Sequence, residues 1–291
     1  MSRLRSVLET GGFAVTGEVG PPKGVNTDGI AEAVEILGGR VVALNVTDLQ
    51  SAVMRVGSLA TCRLLLDRGV EPVLQLTCRD RNRLALQSEL LSAWVLGIEN
   101  VLCLTGDHIV LGDHREAKPV FDLDSVQLLK AASMLNAGRD MAGHALDGKP
   151  DLFAGAVVTP NFEPLELQLT KMRKKMDAGA KFFQTQAVFE PEKFARFAEQ
   201  AAEMEVPVLA GIVVLKSAAM ARFMNKNVAG VFVPDALIEE MDKTAKGDRK
   251  KKAAEIGARI IEGVRGHCQG VHLMPLGWDD VAVEMLDMAG L

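Results

Sequence analysis

The sequence predicts an α/β fold of the (β/α)8 TIM-barrel class, with all strands parallel, as a single domain over residues 1–291. Three observations predict it. Eight short apolar runs alternate with segments of helical period, the pattern of a parallel sheet with crossover helices. The length of 291 residues suits one such barrel, which typically takes about 250. The first run leads into Gly17-Glu18-Val19-Gly20-Pro21-Pro22. Its two prolines do not suit the glycine-rich phosphate turn of the competing open, doubly wound sheet.

The elements follow in order. Phe13–Val19 is the first expected strand, and the helix over Thr27–Leu37 takes Thr27 as its N-cap. Val41–Val46 is the second strand. The helix after it, Arg55–Arg68, stops at Gly69, a residue free to adopt the left-handed C′ conformation. Pro72–Cys78 precedes a helix over Leu84–Leu96 that stops in the same way at Gly97. Asn100–Thr105 precedes Asp124–Leu135, and Leu152–Val158 precedes Pro164–Ala178. Lys181–Gln186 precedes Pro191–Met204, and Val206–Val213 precedes Ala218–Asn225. A long crossover from Pro234 to Val264 is expected to hold two helices broken near Gly247-Asp248, ahead of a last strand at Gly270–Leu276. The runs are short and rich in Val, Leu and Phe, as strands buried on both faces require. The cluster Arg249-Lys250-Lys251-Lys252 reads as a solvated helix start.

Composition narrows the function classes. A net charge of −5, 4% aromatics and no Tyr argue against nucleic acid, which needs a basic footprint and stacking platforms. No run approaches the ~18 apolar residues of a membrane span, and the N-terminus lacks a signal-type apolar core, so a cytoplasmic enzyme is expected. Cys62, Cys78, Cys103 and Cys268 form no CxxC pair, which leaves no zinc or iron–sulfur spacing. The first three lie in apolar runs and read as buried small hydrophobes.

Barrels of this class carry their chemistry at the C-terminal ends of the strands. The polar residues there are Glu18, Asn45-Val46-Thr47-Asp48, Gln75 with Thr77 and Asp80, Thr105-Gly106-Asp107-His108, Thr159-Pro160-Asn161 and Gln184-Thr185-Gln186. Glu18 is the most informative. A half-buried carboxyl costs free energy unless it is used or paired, and burial favours the proton-carrying form of a general acid. The alternative is a strand-end ion pair with Lys or Arg. Taken alone, Asp107 after Gly106 fits a turn or helix cap better than it fits catalysis. Gln186, taken alone, reads more readily as satisfying neighbouring backbone. His108 and His114 lie near Asp107 and Asp113 but match no metal-binding motif, so no metal is expected. His272, inside an apolar strand, reads as a satisfied core histidine. Lys171, Arg173, Lys174 and Lys175 fit a solvated helix face or a phosphate anchor. Amides and carboxylates without a His or Lys nucleophile suit a flat heterocycle with many hydrogen-bonding edges.

These motifs resemble those of the methylenetetrahydrofolate reductase family. The matching segments are Gly17–Pro22, Gln75-Leu76-Thr77-Cys78, Leu104-Thr105-Gly106-Asp107, and Lys174–Ala180 followed by Gln184-Thr185-Gln186, all in order from about Phe13 to Leu276. The resemblance implies a (β/α)8 barrel and a flavin-dependent reduction of 5,10-methylenetetrahydrofolate to 5-methyltetrahydrofolate. It implies Glu18 as the general acid that opens the folate ring to a 5-iminium cation. Asp107 becomes the carboxylate that binds pterin and stabilises that cation, and Gln186 the amide on the pterin edge. Asn45, Gln75, Thr105, Gly106, Asp107, Asn161 and Lys175 fall at flavin-contact positions, with Asp122 and Asp124 near the adenosine end of FAD. Three departures stand out. Gln75 replaces a His of the family and Thr105 replaces an Arg, which removes a cation near the flavin phosphates and admits FMN beside FAD. Ala218 stands where some members carry a Phe that packs on substrate and nicotinamide. The electron donor is therefore NAD(P)H or a partner subunit that holds its own metal centres. The alternative reading is a cofactor-free, pterin-binding barrel of the methyltransferase type. Oligomeric state stays open.

Overall fold

The computed structural model describes residues 1–291. Eight parallel strands close into a barrel in sequence order: β1 (Ala14–Val19), β2 (Ala43–Val46), β3 (Pro72–Thr77), β4 (Asn100–Leu104), β5 (Phe153–Val158), β6 (Phe182–Ala187), β7 (Val208–Val213) and β8 (Gly270–Met274). β8 closes on β1 with Thr16 opposite His272, and β1 pairs with β2 with Glu18 opposite Asn45. The helices are α1 (Arg3–Glu9), α2 (Asp28–Leu37), α3 (Ser58–Asp67), α4 (Arg83–Val95), α5 (Ser125–Asn136), α6 (Leu165–Asp177), α7 (Pro191–Ala201), α8 (Ala218–Asn227), α9 (Asp235–Lys243), α10 (Arg249–Val264) and α11 (Asp279–Met288). The long crossover splits near Gly247-Asp248 as its sequence suggests, and the basic cluster opens α10.

Two apolar layers hold the barrel. The larger lies between the sheet and the helical ring, where Leu44, Leu74, Leu76, Val101 and Ile212 meet Leu37, Leu65, Leu90 and Ile261. The smaller plugs the N-terminal end of the barrel. There Leu4 and Leu8 of α1 cap Ala14, Ala43, Val73, Leu102, Phe153, Phe182 and Leu209. The rings of Phe153 and Phe182 stack with centroids 5.2 Å apart, and Gly155 makes room for them: a Cβ there would stand 2.3 Å from Phe182 Cζ. This bottom plug forces the open end of the barrel, and any ligand space, to the C-terminal face.

Two helices lie outside the sequence-derived set. α1 has only seven residues, too few to show a helical period, and it is fixed by capping and tertiary bonds. Ser2 accepts from the Arg5 N–H at 3.1 Å, and Glu71 accepts from the amides of Arg3 and Leu4. α11 opens with Asp279 and Asp280, charges that suit a helix N-terminus. Thr27 occupies the N-cap position of α2 but its side chain makes no capping bond; Asn26 Oδ1 instead accepts from the Asp28 N–H at 2.8 Å. All four cysteines are buried and unpaired, and burial pushes the Cys78 thiol up to about 12. No helix is long and apolar enough to cross a membrane.

Candidate functional site at the barrel mouth

A cavity of about 350 Å³ opens at the C-terminal mouth, and Glu18, Gln75, Thr105, Gly106, Asp107 and Gln186 all line it. Glu18, the last inward residue of β1, is 11% exposed. Gln75 Nε2 donates to its Oε2 at 3.2 Å, Gln50 Nε2 approaches Oε1 at 3.5 Å, and His272 Nε2 lies 3.7 Å from Oε2. The partners of Glu18 are therefore two amides and an imidazole, and the Lys or Arg ion pair weighed from sequence is not formed.

Below this carboxyl runs a polar layer. His272 is 3% exposed, with Nδ1 3.0 Å from Thr16 Oγ1. Thr16 in turn receives Gln184 Nε2 at 3.5 Å. Gln184 and Asn45 exchange amide bonds at 2.7 and 3.2 Å. His272 is thus a satisfied core histidine that also borders Glu18. Asn45, expected at a flavin contact, is fully buried, and both ends of its amide are bonded to Gln184.

A register shift between β6 and β7, spanning Gln184 to Ala187, brings Gln186 to the rim. The extra residue of such a bulge re-aims its neighbours. Thr185 holds it by donating to the Gln186 carbonyl at 2.7 Å and accepting from Gly211 N–H at 2.9 Å. Across the mouth, Gly106 has φ +91°, and a Cβ there would stand 3.0 Å from Thr77 Cβ and 3.3 Å from Arg79 Cβ. Glycine is what that turn admits, and it sets Asp107 over the opening with an exposed carboxylate.

The walls behind the cavity are charged and paired. Asp48 has a side chain with no exposure and accepts from Thr77 N and Oγ1, both at 2.9 Å, and from Arg81 at 2.8 and 3.2 Å. Arg79 lies beside it, 1% exposed, bonded to Asp80. The connection after β2 carries three non-glycine residues with positive φ: Leu49 at 47°, Ser51 at 56° and Ala52 at 58°. Strain of this kind gathers at functional loops.

On the outer ledge, Thr105 Oγ1 accepts from Ser125 N–H at 3.2 Å. Lys175 donates to the Val157 carbonyl at 2.6 Å, and burial first, then Lys171, pushes its ammonium down to about 8. The side-chain nitrogen and oxygen of Asn161 are buried with no partner. Asp122 and Asp124, expected near the adenosine end of FAD, both have protein partners. Asp122 is clasped by the Arg83 side chain and amide, which hold its carboxyl down to about 2. Asp124 caps α5 in a reciprocal box with Gln127, at 2.8 and 3.0 Å. Neither lines the mouth cavity.

A second groove of about 490 Å³ shares Glu18 and Gln50 with the first and extends past Pro21, Pro22, Arg55 and Leu276. Lys216, just ahead of α8, donates to the Leu276 carbonyl and lies 5.2 Å from the Trp278 ring centre, while Ala218 is buried. Sequence reasoning passed over Gln50, Arg79, Arg81 and Trp278. The available signal was the Arg79-Asp80 pair, which begins two residues past the end of β3.

The family description "Methylenetetrahydrofolate reductase" matches residues 3–290. The chain is 25% identical over 237 residues to methylenetetrahydrofolate reductase 2 of Schizosaccharomyces pombe, covering 75% of this chain and 35% of the relative. It is 26% identical to methylenetetrahydrofolate reductase (NADH) 1 of Arabidopsis thaliana, covering 100% of this chain and 50% of that one. The chain thus spans a third to a half of the length of these curated relatives. Among solved structures, a Clostridium thermocellum protein described as binding two copies of 5-methyl-5,6,7,8-tetrahydrofolic acid superposes over 100% of both chains, with TM-score 0.68 and 16% identity. A 2,3-dimethylmalate lyase superposes over 99% of this chain and 87% of its own, with TM-score 0.51 and 14% identity. At such identities these two likenesses speak to the barrel fold.

Proposed function

Since this chain belongs to the methylenetetrahydrofolate reductase family, we propose that it reduces 5,10-methylenetetrahydrofolate to 5-methyltetrahydrofolate with a flavin as the hydride source. The observation that carries this reading is the convergence of Glu18, Asp107 and Gln186 on one cavity that no lysine or cysteine lines. In this reading Glu18 gives a proton to the folate nitrogen that departs as the five-membered ring opens. The exposed carboxylate of Asp107 stabilises the resulting iminium charge. Gln186 pairs with the edge of the pterin; its carbonyl backbone is engaged by Thr185, and its side-chain amide is left for a ligand. In this reading the mouth cavity takes the pterin, and the adjoining groove past Pro21 and Arg55 takes the aminobenzoyl-glutamate half.

The outer ledge fits a flavin. A buried amide with both ends unpartnered, as at Asn161, is costly until a ligand with donor and acceptor edges satisfies it. Thr105, Gly106, Asn161 and Lys175 would hold the group, and Gln75 would face it from the cavity. When bound, a flavin supplies the hydride that the exocyclic carbon accepts. FAD is the first choice and FMN the alternative, because Thr105 offers no cation and Lys171 and Lys175 are the ammonium groups at hand. Electrons reach the flavin from NAD(P)H or a partner subunit. The Asn161 amide favours this reading over a cofactor-free methyltransferase-type barrel.

The test compares wild type with Glu18→Gln for oxidation of 5-methyltetrahydrofolate by a quinone acceptor, after incubation with FAD or FMN. Turnover should fall by about a hundredfold or more, with folate affinity nearly retained. Equal turnover would remove Glu18 from the chemistry.

A further inference from the structure

We propose that Arg79 is the positioning residue for Asp107, acting by pinning the β4–α5 connection at both ends; the inference rests on the reading of Asp107 as the group that faces the folate cation. Arg79 lines the mouth cavity although only 1% of it is exposed. A guanidinium survives such burial only where its donors are used. Here all three nitrogens are used. Nε and Nη2 bind the Asp80 carboxylate at 3.0 and 2.8 Å, Nη2 also reaches the Leu49 carbonyl at 3.1 Å, and Nη1 donates to the Asp107 carbonyl at 3.3 Å. The backbone carbonyl of Arg79 accepts from Val120 N–H at 2.7 Å.

One residue therefore holds the connection at residue 107, just past β4, and at residue 120, shortly before α5. The Val120 bond runs backbone to backbone and survives a change of side chain, so what the guanidinium itself adds is the hold on the Asp107 carbonyl at the β4 end of the segment. The third arm fixes Leu49, at φ 47°, in the strained connection after β2. That connection is itself tied to the same loop, because Asp113 accepts from Met54 N–H at 3.1 Å and pairs with Lys23 of the β1–α2 connection. The Arg79 side chain thus joins the connections after β2 and β4, and Asp113 adds the one after β1. Its charge is matched by Asp80, so what it supplies is direction. A lysine offers a point charge without the planar fork, and cannot serve the Asp80, Leu49 and Asp107 oxygens together.

The experiment is a double-mutant cycle of Arg79→Lys and Asp107→Asn on the flavin-loaded protein, with amide hydrogen exchange on the resting protein as a second readout. Arg79→Lys should lower kcat for 5-methyltetrahydrofolate oxidation by on the order of ten- to a hundredfold, with a smaller change in KM, as a misplaced group does. In the Asp107→Asn background the same substitution should cost less than about twofold, since coupled residues do not add. Amides between 107 and 120 should exchange at least about tenfold faster in Arg79→Lys, with those of α10 unchanged. Arg79→Ala should regain turnover on addition of millimolar guanidinium and not of methylammonium. A loss from Arg79→Lys that persists in full beside Asp107→Asn, or unaltered exchange over residues 107–120, overturns the proposal. Failure of the wild type to turn over folate would instead sink the reading of the site, and the exchange measurement would still decide whether Arg79 holds the loop.

Discussion

Replacing Gly106 with alanine perturbs the mouth with a single methyl group. Two costs arise. At φ +91° an L side chain is in the left-handed region, which costs about 1–2 kcal/mol. The new Cβ would also meet Thr77 Cβ at 3.0 Å and Arg79 Cβ at 3.3 Å. Neither can rotate away, because both are Cβ atoms fixed to the backbone, and Thr77 is further held by Asp48 through its N–H and hydroxyl. Overpacking of this kind costs about 1–3 kcal/mol. The combined loss is about 2–5 kcal/mol, which for a chain of this size lowers the Tm by roughly 4–10 °C. The cheapest relief is an outward shift of the turn, which carries Asp107 with it, so turnover should fall further than stability alone would explain. Scanning calorimetry and folate oxidation on the same preparation measure both. A Gly106→Ala protein that melts within about 1 °C of wild type and keeps its turnover would refute the claim that this turn is sterically determined.

Other consequences concern the charged groups around the mouth. Asp48→Asn leaves Arg81 with only the more distant carboxylates of Glu89, 4.0 Å away, and Asp80, so urea unfolding should show a loss of about 3–5 kcal/mol; a loss below about 1 kcal/mol would mean the buried pair is dispensable. Lys175 is pushed down to about 8 by burial, so between about pH 8 and its unfolded value near 10.4 the unfolded chain binds more protons than the folded one. Stability relative to Lys175→Met should therefore rise with pH across that window, by at most about 1.4 kcal/mol per pH unit, and stay level below it. A flat difference from pH 7 to 10.5 would contradict the placement of this ammonium.

Much of the barrel was legible because buried parallel strands announce themselves as apolar runs, and Gly69 and Gly97 mark where two helices end, both with positive φ. α1 was not, because a seven-residue helix shows no period and owes its place to Glu71 and the floor of the barrel. In the site, Glu18, Asp107 and Gln186 share one cavity, and a strand-end rule is enough to nominate residues of this kind. That rule does not say what else binds such a residue: only side-chain geometry reveals that Asn45 exchanges amide bonds with Gln184, and that Asp122 and Asp124, expected from the family resemblance, meet Arg83 and the α5 cap. Arg79 stayed hidden for the converse reason: an arginine after a strand reads as solvated until its four acceptor contacts are seen. His272 was placed in the core from its apolar neighbours, and the closure of β8 on β1 is what also brings it to Glu18.

The most direct test of the account is an anaerobic visible spectrum of the protein loaded with FAD or FMN, recorded before and after addition of 5-methyltetrahydrofolate. The account predicts bound flavin bands that bleach on addition of the folate, with bleaching slowed strongly in Glu18→Gln. A protein that binds the folate yet takes up neither flavin, or whose flavin bands persist in the presence of saturating 5-methyltetrahydrofolate, would contradict it.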